Sequence, residues 1–235
     1  MKFQADREVL SDAVSFLVRL LSPRPQLPQL SGVMIEATKD EVVLSIFDYE
    51  VAARVKIAAA VEAPGKVLVQ ARLLSEIVSK LPASSVSLVI DETRLQVTSG
   101  SSKFSLSSMA TTDYPDTPEF PAATGKVSAS EFTNSVAKVA SAASREEVTP
   151  VLTAVMIQAD ATKLTMVATD RFRVAVKSLP WTGKAIDRDV LIPARVLNEI
   201  AKTFSHEGDL ELAFGETEKE MIGFSSGNKT VSTAT

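Results

Sequence analysis

Apolar positions along this chain follow two spacings, and the order in which they alternate occurs twice. Near the N-terminus Val9, Leu10, Ala13, Val14 and Leu17 keep the three-to-four-residue spacing of an amphipathic helix, and Phe132, Val136, Val139 and Ala143 do the same further on. Each helix is followed by branched, strand-forming runs separated by polar or acidic breaks. In the first copy these are Gly32–Ala37, Glu41–Ile46 and Val51–Ile57; in the second they are Ala154–Ala159, Lys163–Ala168 and Arg173–Leu179. A second helix is predicted next, starting at Val67 in one copy and Val190 in the other, with inward positions Leu74, Ile77, Val78 and Leu81 in the first and Leu197, Ile200, Ala201 and Phe204 in the second. Pro193 falls where a first-turn proline is tolerated. A meander closes each copy, over 85–90, 94–98 and 103–107, then over 209–214, 221–225 and 230–233.

The repetition extends to residue identity. Val67-Leu-Val-Gln-Ala-Arg-Leu-Leu-Ser-Glu-Ile77 returns 123 residues later as Val190-Leu-Ile-Pro-Ala-Arg-Val-Leu-Asn-Glu-Ile200, with seven of eleven positions identical. At an offset of 122, Pro28, Leu30, Val33, Met34, Ile35, Ala37, Asp48 and Ala53 meet Pro150, Leu152, Val155, Met156, Ile157, Ala159, Asp170 and Ala175. The period exceeds the ~20–50 residues of a solenoid unit and matches a whole domain. Two α+β domains are therefore expected, each with two helices packed on antiparallel sheet. The first spans 1–120 and the second 126–235, and 121–125 ends a linker that begins at Thr111 and holds Pro115, Pro118 and Pro121.

Composition narrows the chemistry. The 235 residues contain no cysteine, which removes disulfides, thiolate catalysis and Cys-based zinc sites, and no apolar run has the length of a membrane span. With a polar N-terminus, a cytoplasmic protein is expected. The sequon Asn228-Lys-Thr230 then carries no meaning. His206, the sole histidine, lies in the polar stretch Ser205–Gly208 and reads as a solvated loop residue. Gly223-Phe-Ser-Ser-Gly227 matches the nucleophile-elbow pattern, but no histidine follows Ser225 and a strand is expected after it. Gly227-Asn-Lys-Thr230 lacks the Gly-Lys pair of a phosphate loop and reads as a hairpin turn, like Gly100-Ser-Ser-Lys103 in the first copy. Asp48 and Glu50 suggest a carboxylate pair, yet Asp170 repeats only the first of them, so the aspartate is expected to cap a turn. No catalytic residue and no metal or cofactor site is assigned.

What remains distinctive is the polar side of the helices. Arg72 falls on the solvent side of one, Arg195 and Lys202 lie seven apart on another, and Lys138 and Arg145 share that spacing at the end of the second copy's first helix. Helical positions seven apart lie nearly on one face, so such cations form stripes suited to phosphate. Against this, Glu76, Glu131, Glu146, Glu147 and Glu199 lie nearby and the net charge is −4, which is also what salt-bridged solvent faces look like.

Several stretches taken in order resemble one family. Met1-Lys-Phe with Arg7-Glu-Val-Leu10, Arg24-Pro-Gln-Leu-Pro28, Asp48-Tyr-Glu50, Ser99-Gly-Ser-Ser-Lys-Phe-Ser-Leu106 and Val167-Ala-Thr-Asp-Arg-Phe-Arg173 are similar to the bacterial sliding clamps, the beta subunits of DNA polymerase III. The resemblance runs end to end and implies a non-catalytic ring of two head-to-tail chains, each of three similar domains, with helices lining the hole. It implies that double-stranded DNA is encircled without sequence preference and touched by Arg24, Arg72, Lys138, Arg145, Arg195 and Lys202. A protein held by topology needs only weak phosphate contacts, which accords with the acidic balance. At Glu146 the chain carries a carboxylate where relatives carry a neutral polar DNA contact.

The resemblance further implies a hydrophobic peptide groove through which the replicative polymerase, the clamp loader and other proteins with a clamp-binding motif attach. One wall of it corresponds to Thr149, Leu152, Thr169, Arg171, Phe172, Arg173 and Val174. Where the family pattern has Gly-His before the arginine, this chain has Arg171-Phe172. Phe172 and Val174 also suit a strand facing the core. No third copy follows Thr235, so a fragment lacking the third domain is expected. Two other readings stay open: an enzyme of unfamiliar type with titratable groups near Asp170 and Arg173, and a clamp-like scaffold or paralogue outside replication.

Overall fold

The computed structural model describes residues 1–39, 41–82, 85–112, 114–146, 148–204, 208–215 and 221–235; His206 and Glu147 lie outside the described residues. The chain divides into two compact units, Met1–Pro118 and Glu119–Thr235.

In the first unit β1 (Lys2–Asp6) leads into α1 (Arg7–Leu20), and a 3-10 helix (Pro28–Ser31) leads into β2 (Gly32–Ala37), β3 (Val42–Phe47) and β4 (Val51–Ile57). Then come β5 (Ala60–Ala63), β6 (Gly65–Gln70), α2 (Ala71–Lys80), β7 (Ser85–Asp91), β8 (Arg94–Ser99) and β9 (Ser102–Met109). One antiparallel sheet runs β5-β1-β7-β8-β9 and another runs β4-β3-β2-β6. The end of β9 joins the second sheet by pairing Ser108 and Met109 with Val69 and Leu68.

The second unit repeats this order. β10 (Gly125–Ser128) precedes α3 (Ala129–Ala140), and a 3-10 helix (Pro150–Thr153) precedes β11 (Ala154–Ala159), β12 (Lys163–Thr169) and β13 (Val174–Pro180). The short β14 (Thr182–Gly183), β15 (Val190–Pro193), α4 (Ala194–Thr203), β16 (Asp209–Ala213), β17 (Ile222–Ser226) and β18 (Lys229–Thr233) follow. Its sheets run β13-β12-β11-β15 and β14-β10-β16-β17-β18.

Each unit buries one face of a helix pair. On α1 the buried positions are Leu10, Ala13, Val14, Phe16, Leu17 and Leu20, packed beside Leu74 and Val78 of α2. In the second unit Phe132, Val136 and Val139 of α3 meet Leu197, Ile200 and Ala201 of α4, and the Phe132 ring lies 5.9 Å from that of Phe224. Among the described residues, side chains close three of the four α-helix starts. Asp6 accepts from the N–H groups of Glu8 and Val9, Gln70 from Leu73 and Ser128 from Glu131.

Several expectations are corrected. Each copy opens with a strand rather than a helix, because β1 and β10 are short and their alternation is brief. The repeated eleven-residue motif does not start the helix: its first four residues end β6 and β15, and the helices begin at Ala71 and Ala194. Pro193 is therefore the last residue of β15 and the N-cap of α4, acceptable because β15 is an edge strand. Val9 leaves the α1 stripe and is 43% exposed, because it lies about 100° round the helix from the fully buried Leu10. Ala143 is buried but lies beyond α3. The shared aspartates cap turns as expected: Asp48 accepts from Glu50 and Val51, and Asp170 from Phe172 and Arg173. Gly100 and Gly227 occupy equivalent hairpin turns at φ 57° and 60°, where a side chain is disfavoured.

The segment after β9 folds back over the first unit. Tyr114 packs on Met34 and Leu68 beside Met109, and its hydroxyl accepts a 2.8 Å hydrogen bond from the Phe47 N–H. Burial pushes the phenol up to about 12, opposed by the Phe47 N–H and aided by the Asp48 carboxylate. Because the folded value exceeds the ordinary one, this stabilisation is full below pH 10 and is lost as pH rises towards about 12. Tyr114→Phe leaves the Phe47 N–H unpaired and is expected to cost about 1–2 kcal/mol in urea unfolding. It should also remove the part of the alkaline destabilisation between pH 10 and 12 that belongs to this group; an unchanged alkaline limb would assign that loss to other residues.

Candidate functional site

The β12–β13 connection is built by its aspartate. One Asp170 carboxylate oxygen accepts the N–H groups of Phe172 and Arg173 at 3.1 and 3.0 Å, and the other receives Arg173 Nε at 2.9 Å. Partial burial raises the carboxyl pKa, but the two N–H groups and the guanidinium outweigh it and hold the group below the usual carboxylate range. Arg171 takes a left-handed conformation, φ 80°, like its counterpart Tyr49 at 73°. That geometry belongs to the duplicated turn; the side chain it carries differs between the copies.

This turn is tied to two neighbours. Arg171 donates to Thr149 Oγ1 at 3.0 Å, across to the start of the 3-10 helix that holds Leu152. Arg173 donates to the Ser141 carbonyl at 2.8 Å, which places a cation on a carbonyl at the C-terminus of α3. The Thr169 hydroxyl donates to the Arg173 carbonyl and accepts from the Arg171 N–H. Thr149, Leu152, Thr169, Arg171 and Arg173 thus gather at one end of the sheet. Phe172 and Val174 do not face the core: they are 97% and 66% exposed, and Val148 and Val151, on either side of Thr149 in sequence, are exposed too. An apolar surface edged by two arginines results, suited to a ligand with apolar anchors and acceptor groups.

The six cations are all exposed, in different settings. Arg24 lies in the loop after α1, where its N–H donates to Ser22 Oγ. Arg72 is on the solvent side of α2, and Lys202 bonds Glu199 at 2.8 Å on α4. The pairing of Lys138 with Arg145 by helical spacing is corrected. α3 ends at Ala140, and the chain turns through Ala142 N–H to Val139 O and Ser144 N–H to Leu152 O, so Arg145 is a loop residue. The fold instead places Arg145 and Arg195 on the lining of one cavity of about 590 Å³, together with Asn198, Ser141 and Ser144.

The elbow-like pattern has no elbow. Ser225 is buried in β17 and donates to Glu211 Oε2 at 3.0 Å. Among the described residues no group of three or more His, Asp or Glu could hold a metal, and no helix is long and apolar enough to cross a membrane. Sequence reasoning missed Tyr114, whose signal was an aromatic side chain in a proline-rich polar segment, and Trp181, which is buried with its indole N–H on the Lys184 carbonyl.

Comparison with known proteins accords with this architecture. Residues 1–118 match the model of the DNA polymerase III beta subunit N-terminal domain, and residues 126–234 match that of its central domain. The chain is 45% identical over 231 residues to the beta sliding clamp of Micrococcus luteus, covering 97% of this chain and 74% of that protein. It is 37% identical to the beta sliding clamp homolog GriR of Streptomyces muensis, over 97% of this chain and 62% of that one. The sliding clamp structure from Bacillus subtilis superposes on all of this chain and 64% of its own with a TM-score of 0.91 at 26% identity. With the two domain models matched in order over residues 1–118 and 126–234, the chain belongs to the DNA polymerase III beta subunit family of sliding clamps.

Proposed function

We propose that this protein acts as a non-catalytic processivity clamp in the cytoplasm, as part of a head-to-tail ring that encircles duplex DNA. The observation that carries the reading is the duplicated unit itself. Each unit spends the apolar faces of two helices on its core and leaves exposed cations on their other faces. Arg24, Arg72, Lys138, Arg145, Arg195 and Lys202 make diffuse contacts to phosphate, weak enough for sliding. Retention then depends on topology and not on affinity. The surface of Thr149, Leu152, Thr169, Arg171, Phe172, Arg173 and Val174 forms one wall of a groove for short peptides of the replicative polymerase, the clamp loader and other DNA enzymes. A second reading, a clamp paralogue with a role outside replication, is favoured by the similarity to the homolog GriR.

Protein loaded on a nicked circle and passed through gel filtration should stay with the DNA and be released when the circle is cut. Equal retention on circular and linear DNA would replace the clamp with an ordinary DNA-binding protein. Before loading, Arg195→Ala should lower the salt dependence of weak DNA binding by about one phosphate contact, and an unchanged slope would remove that residue from the DNA-facing set.

Phe172→Ala and Val174→Ala test the groove without touching a hydrogen bond. Because both side chains face solvent, unfolding stability should change by less than about 0.5 kcal/mol. Affinity for a clamp-binding peptide, read by fluorescence anisotropy, should fall about tenfold for each. Unaltered affinity in both variants would sink the groove assignment.

A further inference from the structure

The stretch 181–189 carries side chains that the duplicated scaffold does not require. At the offset of 123 it corresponds to 58–66, and Ala58, Val61, Pro64 and Gly65 stand where the second unit has Trp181, Lys184, Asp187 and Arg188. The first unit runs its stretch through β5 into β6, whereas the second leaves 184–189 outside any strand after β14. One scaffold thus forms with and without these charged groups.

They line an open cavity of about 490 Å³, within the ~300–1,000 Å³ of small-molecule sites. Pro121, Ala122, Ile186 and Phe214 supply apolar lining, and Lys184, Asp187 and Arg188 supply charge. Hydrogen bonds fix the surrounding backbone. The Thr124 N–H donates to the Leu212 carbonyl at 2.8 Å, and the Thr124 hydroxyl accepts the Phe214 N–H at 3.0 Å. The Lys184 N–H reaches the Thr124 carbonyl at 3.1 Å and the Ile186 N–H the Ala159 carbonyl at 2.8 Å. Buried Trp181 sets its indole N–H on the Lys184 carbonyl at 3.0 Å and its ring edge-on to Phe214, with centroids 6.0 Å apart. A cavity held this way is formed before a ligand enters, which lowers the ordering cost of binding.

Charge selects the ligand. Arg188 is half-buried and donates to the Gly215 carbonyl at 2.6 Å. Among the described residues neither Arg188 nor Lys184 is ion-paired. A guanidinium partly removed from water and without an anionic partner gains from a carboxylate, which it can hold through two parallel N–H groups. Lys184 and Arg188 against Asp187 leave the described lining with one excess positive charge. That suits a monoanion better than a phosphate monoester of charge about −2, and the apolar lining calls for a hydrocarbon body.

We infer that this cavity binds a small organic monocarboxylate with an aliphatic or aromatic body, its carboxylate on Arg188 and Lys184 and its body against Ile186 and Phe214. None of these residues belongs to the phosphate-facing set or to the peptide surface, so the inference can fail or survive independently of the clamp reading.

The test titrates the whole isotope-labelled chain with phenylbutyrate, read by NMR at the indole N–H of Trp181, the sole tryptophan, and at the Ile186 methyls. Saturable shifts with a Kd on the order of 1 mM are expected. The uncharged amide of the same acid should bind about tenfold more weakly. Lys184→Ala should weaken phenylbutyrate about threefold and leave thermal unfolding unchanged, because that exposed side chain makes no bond among the described residues. Arg188→Gln should abolish binding; since it also alters the Gly215 contact, Lys184→Ala separates a lost charge from a loosened fold. The inference is overturned by no saturation up to about 10 mM, by equal affinity for acid and amide, or by unchanged affinity in Lys184→Ala. Tighter binding of phenylbutylamine than of the acid would overturn it in favour of a cation held by Asp187.

Discussion

Burial of one face of two short amphipathic helices is the constraint on which each unit depends. Helices as short as α2 and α4, with ten residues each, are marginal in isolation, because nucleation costs more than so few turns return. They persist here because Leu74 and Val78, or Leu197 and Ile200, are consumed by the partner helix and the sheets. Each fully buried leucine or isoleucine contributes roughly 2 kcal/mol relative to exposure. Once those positions are committed inward, Arg72, Arg195 and Lys202 have only the opposite side to occupy. The placement of these cations on the solvent side is thus a by-product of core packing, and Lys202 pairs there with Glu199.

The same economy applies to the turns. Asp48 and Asp170 solve one backbone problem twice, satisfying two N–H groups at a turn whose next residue has a positive φ. With the backbone settled by the aspartate, the flanking positions are free to diverge, and they do: Tyr49 and Glu50 in one copy, Arg171 and Phe172 in the other. Arg171 reaches Thr149 and Arg173 reaches the end of α3, so the second turn is anchored to two elements while Phe172 stands free in solvent. A duplicated scaffold with one diversified turn separates what holds the domain together from what it exposes to solvent.

Much of this was legible in the sequence. The period of the duplication, most inward residues of the helices, the runs that become β2 to β4 and β11 to β13, the capping aspartates and the paired glycine turns follow from local rules: spacing, side-chain hydrogen bonding to the nearby backbone, and the freedom of glycine at positive φ. The sequence also determined the family resemblance, because its motifs keep their order along the whole chain. Only the tertiary structure decided where α3 stops, since that end depends on Ser144 bonding Leu152 and on Arg173 reaching Ser141, contacts made across the fold. It likewise decided that Arg145 leaves the α3 face and lines a cavity with Arg195, that Phe172 and Val174 face water, and that Tyr114 covers the Met34–Leu68 pair. The physical reason is common to all of these. Periodicity reports which side of an element is apolar, but what covers that side is set by residues distant in sequence, whose approach is paid for only when the whole domain closes.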